Sequence, residues 1–253
     1  MRIVARDGLL VLLSFLVGFF LATTLFFAHY GSQHAPTTPS QALASPAETI
    51  ERSVPIVAVD EQGRGQVGTL TVKLIPGNNN VLVDTNPFLD IDIQYSANIA
   101  VAVAKLTTGR YAADKDFVLS YASAGSVVGG ESASAVTAVA VIAALEGKDF
   151  KAGYAMTGAI RPDGTIGPVG GIPEKAQALA EAGYTHFLIP KGQGTFTYYE
   201  PVREPVRDSF GFVFAHTRYV PRTIDLVQVA REEWGIELIE VSTVTEAADL
   251  MLE

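Results

Sequence analysis

Cysteine is absent from all 253 residues. That excludes a thiol nucleophile, a disulfide framework and any cysteine-ligated metal site. Histidine is scarce: His29 and His34 lie beside a long apolar run near the N-terminus, leaving His186 and His216 for any Ser-His-Asp arrangement. No spacing of His, Asp and Glu resembles a zinc motif, so neither a metal nor another cofactor is expected. Positive charge is in deficit, with 18 Lys and Arg against 27 Asp and Glu for a net charge of −9. Such a balance argues against nucleic acid as a partner and favours solubility. A phosphate-binding Gly-x-x-x-x-Gly-Lys-Ser/Thr loop is also missing, and Gly147-Lys148-Asp149 is not one.

Charge is missing altogether from Gly8 to Ala28, GLLVLLSFLVGFFLATTLFFA, a run of 21 residues. That length suits one transmembrane helix. Arg2 and Arg6 precede it and the next basic residue is Arg52, so the positive-inside rule puts residues 1–7 in the cytoplasm and the body of the chain outside. A cleaved signal peptide shares the short basic start. The length of the run and the lack of a small-x-small site at its end favour an uncleaved anchor. Residues 29–52, rich in Pro, Ser, Thr and Ala without sustained period, are expected to be a flexible linker. Residues 53–253 are long enough for one domain with a substantial core.

Within that domain, strands are expected at 69–75, 81–83, 89–95, 117–121 and 154–160, and at 184–190 entering the core. Helices are expected at 96–108, 132–146, 173–182, 224–234 and 244–252, the last announced by a Thr243-x-x-Glu246 capping box. Strands and helices mix without a βαβ rhythm, which suits an α+β domain. Between Gly192 and Arg222, aromatics such as Phe196, Tyr199, Phe210 and Tyr219 alternate with Pro201, Pro205 and Pro221. Sequence leaves a substrate flap, a subunit contact and a long self-packed loop all open for this stretch.

Two segments carry potential chemistry. In Gly129-Gly130-Glu131-Ser132, a serine opens a helix that is apolar nearly all round. Unpaired N–H groups at a buried helix N-terminus can form an oxyanion hole. Alone, Ser132 would be no more than an N-cap. In Gly170-Gly171-Ile172-Pro173-Glu174-Lys175, a lysine falls in the first turn of a second helix, where the dipole disfavours an ammonium. Burial there would lower its pKa further; a fall from 10.4 to about 7 corresponds to roughly 4 kcal/mol. A neutral amine could then take a proton from the serine. Alone, Lys175 would be a solvated neighbour of Glu174.

The stretch from Gly129 to Gly192, with GGESASAVTAVAVIAALEGK, YAMTGAIRPDGTIGPVGGIPEK and AQALAEAGYTHFLIPKG, resembles the proteolytic domain of Lon-type serine peptidases, including archaeal and stand-alone members. The serine helix, Met156-Thr157-Gly158, the Gly-Gly turn and a lysine 43 residues after the serine stand in the family's order. A weaker likeness reaches back to about Val54 and resumes at GIELIEVSTVTEAADLML. The resemblance implies an α+β fold and a serine endopeptidase, with Ser132 as nucleophile, Lys175 as general base and Thr157 holding the lysine amine. Glu131 stands where common Lon enzymes carry Pro or Asp, and with Gly130 it is assigned a supporting place. Without a phosphate-binding loop the activity should not need ATP, and the substrates should be unfolded, flexible or membrane-proximal polypeptides. Lon relatives often form rings, so a homo-oligomer is among the implications. The alternative is a catalytically silent Lon-like domain acting as a binding or scaffold module.

Overall fold

A computed structural model describes residues 14–26, 49–86, 88–122, 127–128, 130–207, 210 and 213–253. The chain divides into two units, Met1–Ser45 and Pro46–Glu253. In the first, helix α1 covers 14–26 and its side chains are exposed almost throughout. The Thr23 and Thr24 hydroxyls donate back to the Phe19, Phe20 and Leu21 carbonyls. The expected spanning helix over 8–28 is described only at 14–26, and among the described residues no helix is long and apolar enough to cross a membrane. Residues 8–13 and 27–28 lie outside the described residues.

The second unit is a mixed α+β body. Strands β1 (Ile50–Val59), β2 (Gly65–Pro76), β3 (Val81–Val83) and β5 (Lys115–Ala122) form a sheet in the order β1-β2-β5-β3, antiparallel except for β3 with β5. Between β3 and β5 lie the short β4 (Phe88–Leu89) and helix α2 (Ile91–Thr108); β4 pairs with β6 (Val127–Val128). Helix α3 (Ser134–Glu146) follows a 3-10 turn at Glu131–Ala133. Every residue of α3 from Ser134 to Leu145 is buried, because α2, β1, β2 and α6 (Val244–Met251) surround it.

A parallel sheet, β13-β10-β7, separates two cores. Its strands are β7 (Tyr154–Met156), β10 (His186–Pro190) and β13 (Glu237–Val241). Because side chains alternate across a strand, Leu188 of β10 joins the core around α3, while Phe187 and Ile189 face helix α4 (Ile172–Glu181). Burial on both faces accounts for the unbroken apolar run Phe187-Leu188-Ile189. A small hairpin of β8 (Ala159–Ile160) and β9 (Ile166–Gly167) follows β7. After β10 come β11 (Thr195–Arg207) and β12 (Val213–Asp225), a two-stranded antiparallel ribbon, then α5 (Leu226–Val229) and a π-helical turn at Ala230–Trp234.

Several expectations are corrected. Of the strand expected over 89–95 only Leu89 is in one, at the end of β4: the Asp90 side chain accepts the Ile93 N–H and starts α2 at Ile91. The strand expected over 154–160 is broken after Met156, where Gly158 takes φ 157°; a Cβ there would lie 2.4 Å from Ile166 Cγ2. The helix expected from Ser132 begins as a 3-10 turn, so the α-helix starts at Ser134. The helix expected over 224–234 is capped by Asp225 and starts at Leu226. The first strand begins at Ile50, inside the stretch expected to be linker. The 192–222 segment is a ribbon rather than a self-packed loop.

Candidate active site

Two turns, at the start of α3 and after β7, are bonded to each other. The Ser132 carbonyl accepts the Gly158 N–H at 2.9 Å and the Thr157 hydroxyl at 3.1 Å. The Gly158 carbonyl in turn accepts the Ala135 N–H at 3.1 Å. Ser134, buried two positions after Ser132, donates to the Glu131 carbonyl at 2.6 Å and accepts the Ile160 N–H at 2.8 Å. The Gly130 N–H, on the other side of the turn, donates to Asp90 Oδ2 at 2.8 Å. Ser132 is therefore held by its backbone from both directions. Its hydroxyl is half-buried and has no hydrogen-bond partner among the described residues.

Lys175 arrives from the second core. The buried stripe of α4 is Ile172, Lys175, Ala176 and Leu179, so helical spacing places the lysine on the apolar face. Only 3% of it is exposed. Its Nζ donates to Thr157 Oγ1 at 3.3 Å. Thr157 is itself fully buried and its N–H donates to the Leu188 carbonyl. Burial pushes the Lys175 pKa down to about 8, against the opposing pull of the Glu174 carboxylate. The start of α4 is pressed against β1: a Cβ on Gly171, which has φ 71°, would lie 2.5 Å from Val59 Cγ2.

Ser132 and Lys175 both line a cleft of about 970 Å³, with Val59, Glu131, Val169 and Phe196 among its walls. Pockets of this size accommodate drug-sized molecules or short peptide segments. The Gln193 side-chain amide bonds both the N–H and the carbonyl of Val169, at 3.0 and 2.7 Å, as a neighbouring strand would. Gly130 and exposed Glu131 sit in the cleft wall, so all five residues expected at the site are placed in or directly against it.

The two histidines are elsewhere. His186 stacks on Tyr154, with ring centroids 4.3 Å apart, and its Nδ1 bonds Thr185 Oγ1. His216 is exposed on β12. Neither lines the cleft. Among the described residues no group of three or more His, Asp or Glu is placed to hold a metal ion.

The sequence profile of the Lon protease (S16) C-terminal proteolytic domain matches residues 54–218, more than half of the chain. The chain belongs to the Lon proteolytic-domain family. The matched stretch contains Ser132, Thr157 and Lys175 and ends within β12. An archaeal Lon protease of Archaeoglobus fulgidus is 38% identical over 90 residues, which is 36% of this chain and 14% of the relative. One from Thermoplasma volcanium is 33% identical over 115 residues, 46% of this chain and 17% of the relative. A Lon protease of Fervidobacterium nodosum is 30% identical over 148 residues, 57% of this chain and 18% of the relative. The chain thus spans less than a fifth of the length of these Lon relatives.

Asp90, Ser134 and Gln193 were not singled out by sequence. Asp90 carried a legible signal, a short carboxylate just before a helical run. The roles of Ser134 and Gln193 depend on segments about 25 residues away and have no local signature.

Proposed function

We propose that this Lon-family domain is a serine endopeptidase using a Ser132–Lys175 dyad, membrane-anchored through residues 8–28 with its body outside the cytoplasm, and cutting without ATP. The observation that carries the reading is a buried lysine, its basicity lowered, directed at a threonine bonded to the backbone of a cleft-lining serine. A neutral Lys175 Nζ takes the proton from Ser132 Oγ as that oxygen attacks the peptide carbonyl. The resulting ammonium returns the proton to the leaving amine, and the acyl-serine is then hydrolysed by water activated through the same amine.

The tetrahedral oxyanion needs N–H donors. In the nucleophile turn, Gly130 N–H is taken by Asp90 and Ser134 N–H by the Glu131 carbonyl. No described residue accepts from the Glu131 or Ser132 N–H, so these two amides are available for the oxyanion. Thr157 acts as a positioning residue: its hydroxyl accepts from Lys175 and donates to Ser132. The substrates are unfolded or flexible polypeptides that thread into the cleft.

The test is cleavage of an unfolded model protein by the purified chain, with and without nucleotide, beside labelling by a serine-directed covalent probe. Ser132→Ala and Lys175→Ala should both abolish turnover, and Ser132→Ala should abolish labelling. A folded wild-type protein that neither cuts nor labels would favour the silent scaffold, and a strict ATP requirement would remove that part of the proposal.

A further inference from the structure

The ribbon of β11 and β12 touches the cleft only at its root, through Thr195 and Phe196. Thirteen residues per strand carry it about 40 Å outward. A two-stranded ribbon is at best marginally stable in water alone. At its distal end Phe210 is 87% exposed, and Val213 and Phe214 are each 58% exposed. Scattered exposed apolar residues are ordinary, but three within five positions at the end of a projection form a cap. Behind the cap come His216 opposite Glu204, then Arg203, then Arg218, which is ion-paired with Glu204, and beyond them Tyr219 and Tyr199 on one face. Apolar groups deepest, arginine next and tyrosine behind is the order met on passing from lipid tails to headgroups to water.

Two observations disfavour a protein on this surface. The middle of one face is occupied by the ion pairs Glu200–Arg222 and Glu204–Arg218, which interrupt the exposed apolar groups between root and tip. Both ribbon edges also carry proline, Pro201 and Pro205 on one strand and Pro221 on the other, which hinders addition of a further strand. Charge agrees with a lipid surface. Residues 195–225 hold four Arg against two Glu and two Asp, so the whole net charge of −9 lies elsewhere in the chain. Anionic headgroups therefore repel the body but not the ribbon.

We propose that the distal end of the ribbon is a second membrane contact, with Phe210, Val213 and Phe214 dipping into the lipid–water interface and Arg203 at the level of the phosphates. The inference rests on the anchored reading, which brings a bilayer near the body.

Residues 46–253 contain both cores complete, so the test uses this body without the anchor. It should float with phosphatidylcholine vesicles, and no more strongly when phosphatidylglycerol is included, because the ribbon is charge-balanced and the body is acidic. The double variant Phe210→Ser/Phe214→Ser should partition about tenfold more weakly or worse, with unchanged cleavage of a short peptide as the check on folding. In Phe214→Trp, the added indole emission should shift to the blue with vesicles. Equal flotation of wild type and double variant, or no flotation of either, overturns the proposal. So does a double variant altered only in oligomeric mass or only in its KM for an unfolded protein. The anchor is read separately: release of the full chain by alkaline carbonate while the body still floats would sink the anchor and leave the ribbon contact standing.

Discussion

Asp90 and Gly130, 40 residues apart, are joined by a 2.8 Å hydrogen bond from the glycine amide to Oδ2. The other carboxylate oxygen accepts the Ile93 N–H at 2.9 Å and caps α2. One side chain thus fixes both the start of a core helix and the turn that presents Ser132.

Asp90→Asn should separate these roles. Asparagine offers one acceptor oxygen, so either α2 or the Gly130 amide faces an NH2 group instead. We expect stability to fall by about 1 kcal/mol in urea unfolding. The kcat for a short peptide should fall several-fold with little change in KM. Lost stability with unchanged kcat would confine Asp90 to helix capping.

Turnover should rise with pH. Burial lowers the Lys175 pKa to about 8, so the neutral amine gains population through that pH rather than near the value of a free lysine. A pH profile of kcat should show its lower limb there. His186→Ala and His216→Ala should keep turnover, since neither ring lines the cleft. Lys175→Arg should be dead, because guanidinium stays protonated. Activity that survives Lys175→Ala but not His216→Ala would overturn the dyad.

The same lysine costs stability at neutral pH. Unfolded it titrates near 10.5, folded near 8. Below about 8 both states hold the proton and the folded state bears the buried ammonium. Between about 8 and 10.5 only the unfolded state is protonated, so stability rises with pH, and above 10.5 the penalty is gone. Lys175→Met should therefore be inactive yet more stable than wild type at pH 7, by about 1–3 kcal/mol. It should also lack the wild-type rise across that window. Urea midpoints at pH 7 and 9.5 measure both, and parallel pH slopes would refute it.

Two serines two positions apart should behave oppositely. Ser134→Ala leaves the buried Ile160 N–H without its acceptor and frees the Glu131 carbonyl. A loss of about 1–3 kcal/mol and reduced, not abolished, turnover is expected. Ser132→Ala should abolish turnover with a nearly unchanged thermal midpoint. Full loss of turnover in a folded Ser134→Ala protein would contradict this division.

Helices α3 and α4 were legible because α3 is an unbroken run of small apolar helix formers ending at Gly147, and α4 has Pro173 at its start, an apolar stripe and Gly183 just past its end. The first turn of α2 was not: Leu89 to Tyr95 alternates apolar and polar like a strand, and only the Asp90 cap decides for helix. Strand β1 contains Pro55, which reads as a break but is tolerated on the sheet's outer strand. The ribbon was hidden for the same reason, since both of its strands are edges and its prolines look like loop. At the site, the spacing of Ser132 and Lys175 carried the family resemblance. The Thr157 link was implied by the resemblance through Met156-Thr157-Gly158, whereas the tie from Asp90 to Gly130 is made by tertiary packing and has no local pattern.

The ribbon leaves and re-enters the body at one point, where the Gly194 carbonyl accepts the Leu226 N–H at 2.9 Å. None of the described residues among 195–225 belongs to either core. The excursion is an accessory spliced onto a closed loop. Descendants of this gene could lengthen, trim or exchange it in a single recombination event without repacking the interior, and a laboratory reporter could be inserted there on the same terms.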